Sequence, residues 1–127
     1  MIVGILKEIK TLENRVSMTP AGVEVMTGQG HTVLVEKGAG VGSGFEDKDY
    51  AASGAKIIKT AKEVYARSEM VMHVKEPQPS EYGMIRKDQI VFTYLHLAAD
   101  KSLTKAMIKT NSVDIAYETI QKADGSL

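Results

Sequence analysis

Three side chains stand out by chemical type and by position: Arg15, Lys75 and His96. The guanidinium of Arg15 is a planar fork that matches a carboxylate. The ammonium of Lys75 is a compact charge suited to polarising a carbonyl oxygen. His96 can exchange a proton near neutral pH. Together they suit a small 2-oxo acid. Each follows a strand-like apolar run. Arg15 lies with Lys7, Glu8, Glu13 and Asn14 beyond the run 2–6, and Lys75 and Glu76 lie beyond the run 70–74. His96 directly follows the run 89–95, and Glu118 follows the last strand-like run. In an open parallel sheet, ligands bind beyond the carboxyl ends of the strands. If these four strands are adjacent, Arg15, Lys75 and His96 face one crevice. Taken singly, each has a plainer reading as a solvated charge, a strand-end cap or a satisfied histidine. The combination carries the argument.

The elements that must position these residues can be read from periodicity and capping signals. Residues 2–6 read as a buried strand. Thr19 as N-cap and Pro20 at the first helical position open a helix that Gly28 and Gly30 close. Strands are expected at 32–36 and 56–58, with a short acid-led helix at 47–52 between them. Thr60 caps a helix running to Arg67, with Glu63 completing a capping box. Residues 70–74 form a strand that Pro77 and Pro79 cannot extend. A short helix is expected at 80–86, a central strand at 89–95, a helix from an Asp100 cap to Lys109 and a last strand at 112–117. Asp124-Gly125 marks a turn. Strands alternating with helices, with no Asn-Gly hairpin signal between them, predict an α/β fold. Its sheet is mostly parallel, with helices on both faces. The alternation calls for a further helix after the last strand.

Other features exclude alternatives. The chain has 127 residues, enough for one domain. Sixteen basic residues balance sixteen acidic ones, which leaves no basic footprint for nucleic acid. The absence of cysteine removes disulfides, thiolate metal sites and cysteine nucleophiles. His31, His73 and His96 lack metal-ligand spacing, so no metal site is expected; His31 is placed in an exposed turn and His73 within a strand. No apolar run approaches the length of a membrane helix. The amino terminus lacks a signal-peptide pattern, so a cytoplasmic location is expected. The glycine-rich stretch 38–44 fails the dinucleotide spacing, because Ser43 and Asp47 stand where a third glycine would be needed. With Glu46, Asp47 and Asp49 following, it reads as a tight structural loop and no cofactor-binding residue is assigned to it.

Several strings resemble the amino-terminal, substrate-binding domain of the alanine dehydrogenase/transhydrogenase family. They are Lys7-Glu8, Glu13-Asn14-Arg15-Val16, Thr19-Pro20-Ala21-Gly22-Val23, Gly38-Ala39-Gly40 with Gly42-Ser43, and Val74-Lys75-Glu76-Pro77. Phe92-Thr93-Tyr94-Leu95-His96-Leu97-Ala98-Ala99 and Ala116-Tyr117-Glu118-Thr119 complete the set. The resemblance covers essentially residues 1–127 and implies a single Rossmann-like domain. It implies the NAD-dependent interconversion of L-alanine with pyruvate and ammonia. Arg15 would hold the substrate carboxylate, Lys75 would polarise the carbonyl or imine, and His96 would be the catalytic acid/base. The family enzyme is roughly three times this length, with a separate dinucleotide domain. Its NAD-binding unit, the acidic partner of its histidine and a returning helical segment would lie beyond residue 127. NAD is therefore expected not to bind this chain alone, and the chain alone is expected to be inactive. The expected partners are pyruvate or L-alanine, the NAD-binding domain or a complementing chain, and further copies in a homo-oligomer. Two other readings are a solitary 2-oxo-acid-binding module and the equivalent half of a proton-translocating NAD(P) transhydrogenase alpha subunit. His96 favours the dehydrogenase, since no histidine is expected there in the transhydrogenases.

Overall fold

A computed structural model describes residues 1–126. Residue 127, the last of the expected domain, lies outside them. The described residues form β1 (Ile2–Ile5), α1 (Pro20–Gly28), β2 (Thr32–Glu36), α2 (Asp47–Ala52) and β3 (Lys56–Ile58). They continue with α3 (Ala61–Arg67), β4 (Met70–Met72), β5 (Ile90–Thr93), α4 (Lys101–Thr110) and β6 (Val113–Ala116). All five strand pairings are parallel, in the order β3-β2-β1-β4-β5-β6. The fold is α/β and Rossmann-like, and its order reverses between β1 and β4. That reversal opens a crevice beyond the carboxyl ends of the two central strands. The condition set by the sequence is met: β1, β4, β5 and β6 are consecutive neighbours.

Side chains on successive strand positions point to opposite faces, and this divides the core in two. Val3, Ile5, Val33 and Val35 pack with Val23 of α1 and Tyr50 of α2 on one face. Leu6, Leu34, Val71 and Val91 pack with Val64 and Tyr65 of α3 and Leu103 and Met107 of α4 on the other. Both faces of the central strands are thus covered, as their unbroken apolar runs require. Gly4 permits the closest approach, since a Cβ there would collide with Ser68 and Val64 of the α3 segment.

The caps account for where the helices begin. Thr19 accepts from the Gly22 amide, and Asp100 accepts from the amides of Ser102 at 2.8 Å and Leu103 at 3.0 Å. Thr60 accepts from the Glu63 amide, but the return half of the expected capping box differs: the Thr60 hydroxyl donates to the Glu63 carboxylate at 2.8 Å. The expected helix at 80–86 is a single 3-10 turn, Tyr82–Met84. It stops because Glu81 folds inward to accept from the Gln78 amide, while Arg86 donates its own amide to the Gln89 side chain. The strands expected at 70–74 and 89–95 end earlier, at Met72 and Thr93. Beyond those points carboxylates replace neighbouring carbonyls as hydrogen-bond acceptors. Among the described residues no helix is long and apolar enough to cross a membrane.

Candidate functional site

The loop between β1 and α1 carries Arg15 at the carboxyl edge of the sheet. Its fork is engaged by Glu13: Nε donates to Oε1 at 2.9 Å and Nη2 donates to Oε2 at 2.6 Å. Hydrogen bonding from Arg15 holds the Glu13 carboxyl at about 2, well below the ordinary carboxylate range. Glu13 therefore stays ionised at neutral pH and fixes the direction of the guanidinium. The remaining N–H groups of Arg15 are available, because a guanidinium has five donors and Glu13 takes two. Arg15 lines a pocket of about 500 Å³ with Ser17, Ser43, Val74, Tyr94 and Tyr117.

Lys75 follows β4 and is held at both ends of its backbone. Its amide donates to Glu8 Oε2 at 3.3 Å, and its carbonyl accepts from the Thr93 hydroxyl at 2.8 Å. Its positive charge adds a small share to the lowering of the Glu13 carboxyl, which the hydrogen bonds from Arg15 dominate.

His96 follows β5 and adopts a left-handed backbone, φ 51° and ψ 37°. For a residue other than glycine that conformation costs about 1–2 kcal/mol, so something must hold it. Glu118, just past β6, accepts from the His96 amide at 2.7 Å and from the Leu95 amide at 3.0 Å. Burial acts upward on the Glu118 carboxyl. The amides of His96, Glu118 and Leu95 outweigh it and keep the group below its ordinary value. The exposed imidazole stacks on Tyr94, with ring centroids 5.9 Å apart and planes within 10°. Tyr94 in turn meets the edge of Tyr117 at 5.0 Å, and Tyr117 packs on Phe92 at 4.3 Å. His96 opens onto a second pocket of about 500 Å³ with Leu97, Asp114 and Glu118.

The three loops thus meet at one sheet edge, but their side chains occupy neighbouring spaces. Arg15 and Tyr94 line one pocket, His96 lines its neighbour, and Lys75 lines neither. Sequence reasoning passed over Tyr94. The usable signal was the alternation of Phe92, Tyr94 and His96, which puts the aromatic and the imidazole on the same side of the chain.

His73, expected within a strand, lies just past its end and is 1 % exposed. Its Nε2 is 2.8 Å from the Tyr65 hydroxyl and its Nδ1 is 3.2 Å from Glu8 Oε1. The arrangement assigns the ring proton to Nδ1, donating to Glu8, while Nε2 accepts from Tyr65. Glu81 lies 3.7 Å from Nε2, and burial raises its carboxyl above the ordinary value. His31 is half-buried with its Nδ1 3.5 Å from the terminal ammonium.

The glycine stretch is packed by its own chain. The Gly38 amide donates to Asp47 at 2.7 Å, Gly40 abuts the Tyr50 ring, and Gly42 abuts the Asn14 backbone. Ser43 donates its hydroxyl to the Asn14 carbonyl at 2.9 Å. The loop is a bed for the segment bearing Arg15.

A six-stranded parallel sheet whose carboxyl edge gathers the loops bearing a forked cation, an ammonium and an imidazole defines a Rossmann-like domain with a crevice at its switch point. Residues 4–127 match the family model described as alanine dehydrogenase/PNT, N-terminal domain, and the chain belongs to that family. It is 54% identical over its whole length to an alanine dehydrogenase of Methanococcus maripaludis and 49% identical to one of Mycobacterium tuberculosis. In both cases it spans 34% of the relative, about a third of its length. A solved L-alanine dehydrogenase superposes with a TM-score of 0.95 at 46% identity, over 99% of this chain and 35% of that one. A transhydrogenase from Sinorhizobium meliloti superposes at 0.86 with 28% identity, over 93% of this chain and 35% of that one. Sequence and structure both lie nearer the dehydrogenases, as His96 led one to expect.

Proposed function

We propose that this chain is the substrate-holding part of an NAD-dependent alanine dehydrogenase, which interconverts L-alanine with pyruvate and ammonia. The observation that supports it best is the meeting of the Arg15, Lys75 and His96 loops at the switch point of the sheet, within a chain about half identical to alanine dehydrogenases. In this reading the free donors of Arg15 take the pyruvate carboxylate. Lys75 donates to the carbonyl oxygen and draws electron density from the carbon. His96 gives a proton to that oxygen, or takes it back in the reverse direction. Charge-assisted contacts of about 1.5–3 kcal/mol each are sufficient to orient so small a molecule. Tyr94 and Tyr117 wall the pocket, where Val74 and Phe45 add apolar surface for the substrate methyl.

The residues present do not fit NAD. The amides of Gly38, Ala39, Val41, Ser43 and Gly44 are engaged within the chain, and the acids Glu46 and Asp47 that follow the loop would repel a pyrophosphate. The reading therefore assigns NAD to sequence beyond these residues or to a complementing chain. It predicts no alanine oxidation by this chain alone, and association into a homo-oligomer. The supporting experiment is calorimetric titration with pyruvate. The wild-type chain binds; R15A and K75A each lose about tenfold or more in affinity, the equivalent of one charge-assisted contact. Equal affinity in all three would overturn the assignment.

A further inference from the structure

The carboxyl edge of the sheet is closed by three carboxylates, each reaching to the adjoining strand. Glu36, ending β2, accepts from the Lys7 amide at 2.9 Å beyond β1. Glu8, beyond β1, accepts from the amides of Val74 at 2.7 Å and Lys75 at 3.3 Å beyond β4. Glu118, beyond β6, accepts from those of Leu95 and His96 beyond β5. Each carboxylate takes the place a carbonyl would have if the strands ran on. The strands can thereby stop, and the residues that follow can turn out of the ladder without stranding their amides.

We propose that Glu118 is a positioning residue for His96, acting through the amides of Leu95 and His96. The proposal rests on the acid/base reading of His96. Three observations carry it. The His96 backbone is left-handed, a conformation that carries a cost for a residue other than glycine. Oε1 of the carboxylate accepts from both amides, at 3.0 and 2.7 Å, and Oε2 adds a longer contact to the Leu95 amide at 3.3 Å, so the carboxylate spans the turn itself. The imidazole so placed is stacked on Tyr94, with ring centroids 5.9 Å apart and an interplanar angle of 10°. The contact is to backbone, so its effect on His96 is one of place and orientation. A single oxygen at the right reach should suffice, whether or not it carries charge.

That distinction sets the experiment, performed on the 127-residue chain. E118Q keeps an acceptor oxygen at the same reach without the charge. E118D keeps the charge but is one methylene short of both amides. E118A keeps neither. Two readouts are taken: the NMR shifts of the His96 ring protons, displaced by the Tyr94 ring current, and the pyruvate dissociation constant. In E118A the His96 protons move towards the position of an unstacked histidine and the dissociation constant rises about tenfold or more. E118Q recovers the ring shift and most of the affinity, whereas E118D recovers neither. If E118D recovers and E118Q does not, charge rather than reach is responsible and the proposal is wrong. It is equally wrong if E118A leaves the ring shift unchanged, or if E118Q is as damaged as E118A. Should E118A fail to fold, the Gln and Asp variants decide by themselves. A wild-type chain that does not bind pyruvate would defeat the acid/base reading, while the ring shifts would still report whether Glu118 places His96.

Discussion

Gly42→Ala tests whether the glycine stretch serves the site as a bed for the Arg15 loop. A Cβ built at Gly42 stands 2.7 Å from the Asn14 carbonyl oxygen and 3.1 Å from both its Cα and its Cβ. Carbon–oxygen contacts ordinarily begin near 3.3 Å, so Asn14 must withdraw by about 0.6 Å. The obstacle is mostly backbone, which no rotamer change relieves. Over-packing of this kind costs about 1–3 kcal/mol. The cheapest relief is retreat of exposed Asn14, and Arg15 retreats with it. Weakening its contact by about 1.4 kcal/mol raises the pyruvate dissociation constant tenfold. Gly44→Ala is the control. Gly44 has φ +85° and open space where a Cβ would lie, so alanine there costs about 1–2 kcal/mol of backbone strain without pressing on Asn14. Calorimetry with pyruvate and urea unfolding are run on both variants. G42A is expected to lose both affinity and stability, and G44A stability alone. Wild-type affinity in G42A, or equal loss of affinity in both, would refute the reasoning.

Two further predictions concern the frame. Burial raises the Glu81 carboxyl above its ordinary 4.5, so above that pH the native chain binds a proton that the unfolded chain releases. Stability should therefore fall as pH climbs from 4.5 through the raised value, and E81Q should flatten that slope in a urea-unfolding series; an unchanged slope counts against the assignment. Asp100→Ala removes the acceptor for the amides of Ser102 and Leu103. It should cost about 1 kcal/mol in thermal melts, and no measurable loss would show that the cap is idle.

How far the molecule was legible in its sequence depended on the range of the interaction involved. Thr19, Thr60 and Asp100 act within three residues of themselves, and each cap was visible in sequence. The strands were visible too, because both faces of the sheet are covered and their apolar runs are unbroken. Adjacency of β1, β4, β5 and β6 was stated only as a condition, which the sheet order satisfies. The features that were missed act across the chain. Glu8 and Glu118 accept from strand-end amides 66 or more and 22 or more residues away from themselves, and nothing local marks either for that task. Gln89 looked like the start of a strand, but its buried amide donates to the carbonyls of Tyr65 and Ser68 at 2.8 Å. His73 looked like an alternating strand residue, yet its partners Glu8, Tyr65 and Glu81 come from three separate segments. The stacking of His96 on Tyr94, and the lining of separate pockets by Arg15 and His96, likewise needed three-dimensional placement.

The most direct test of the central claim is to map pyruvate onto the chain by amide and side-chain NMR shifts as the ligand is added. The account predicts saturable changes centred on the Arg15 loop, Val74-Lys75 and Tyr94-Leu95-His96, with the glycine bed at Gly42-Ser43 following and the opposite edge of the sheet silent. Saturable changes confined to some other surface, such as the groove of about 620 Å³ between Tyr82 and Lys105, or no saturable change at all, would contradict it.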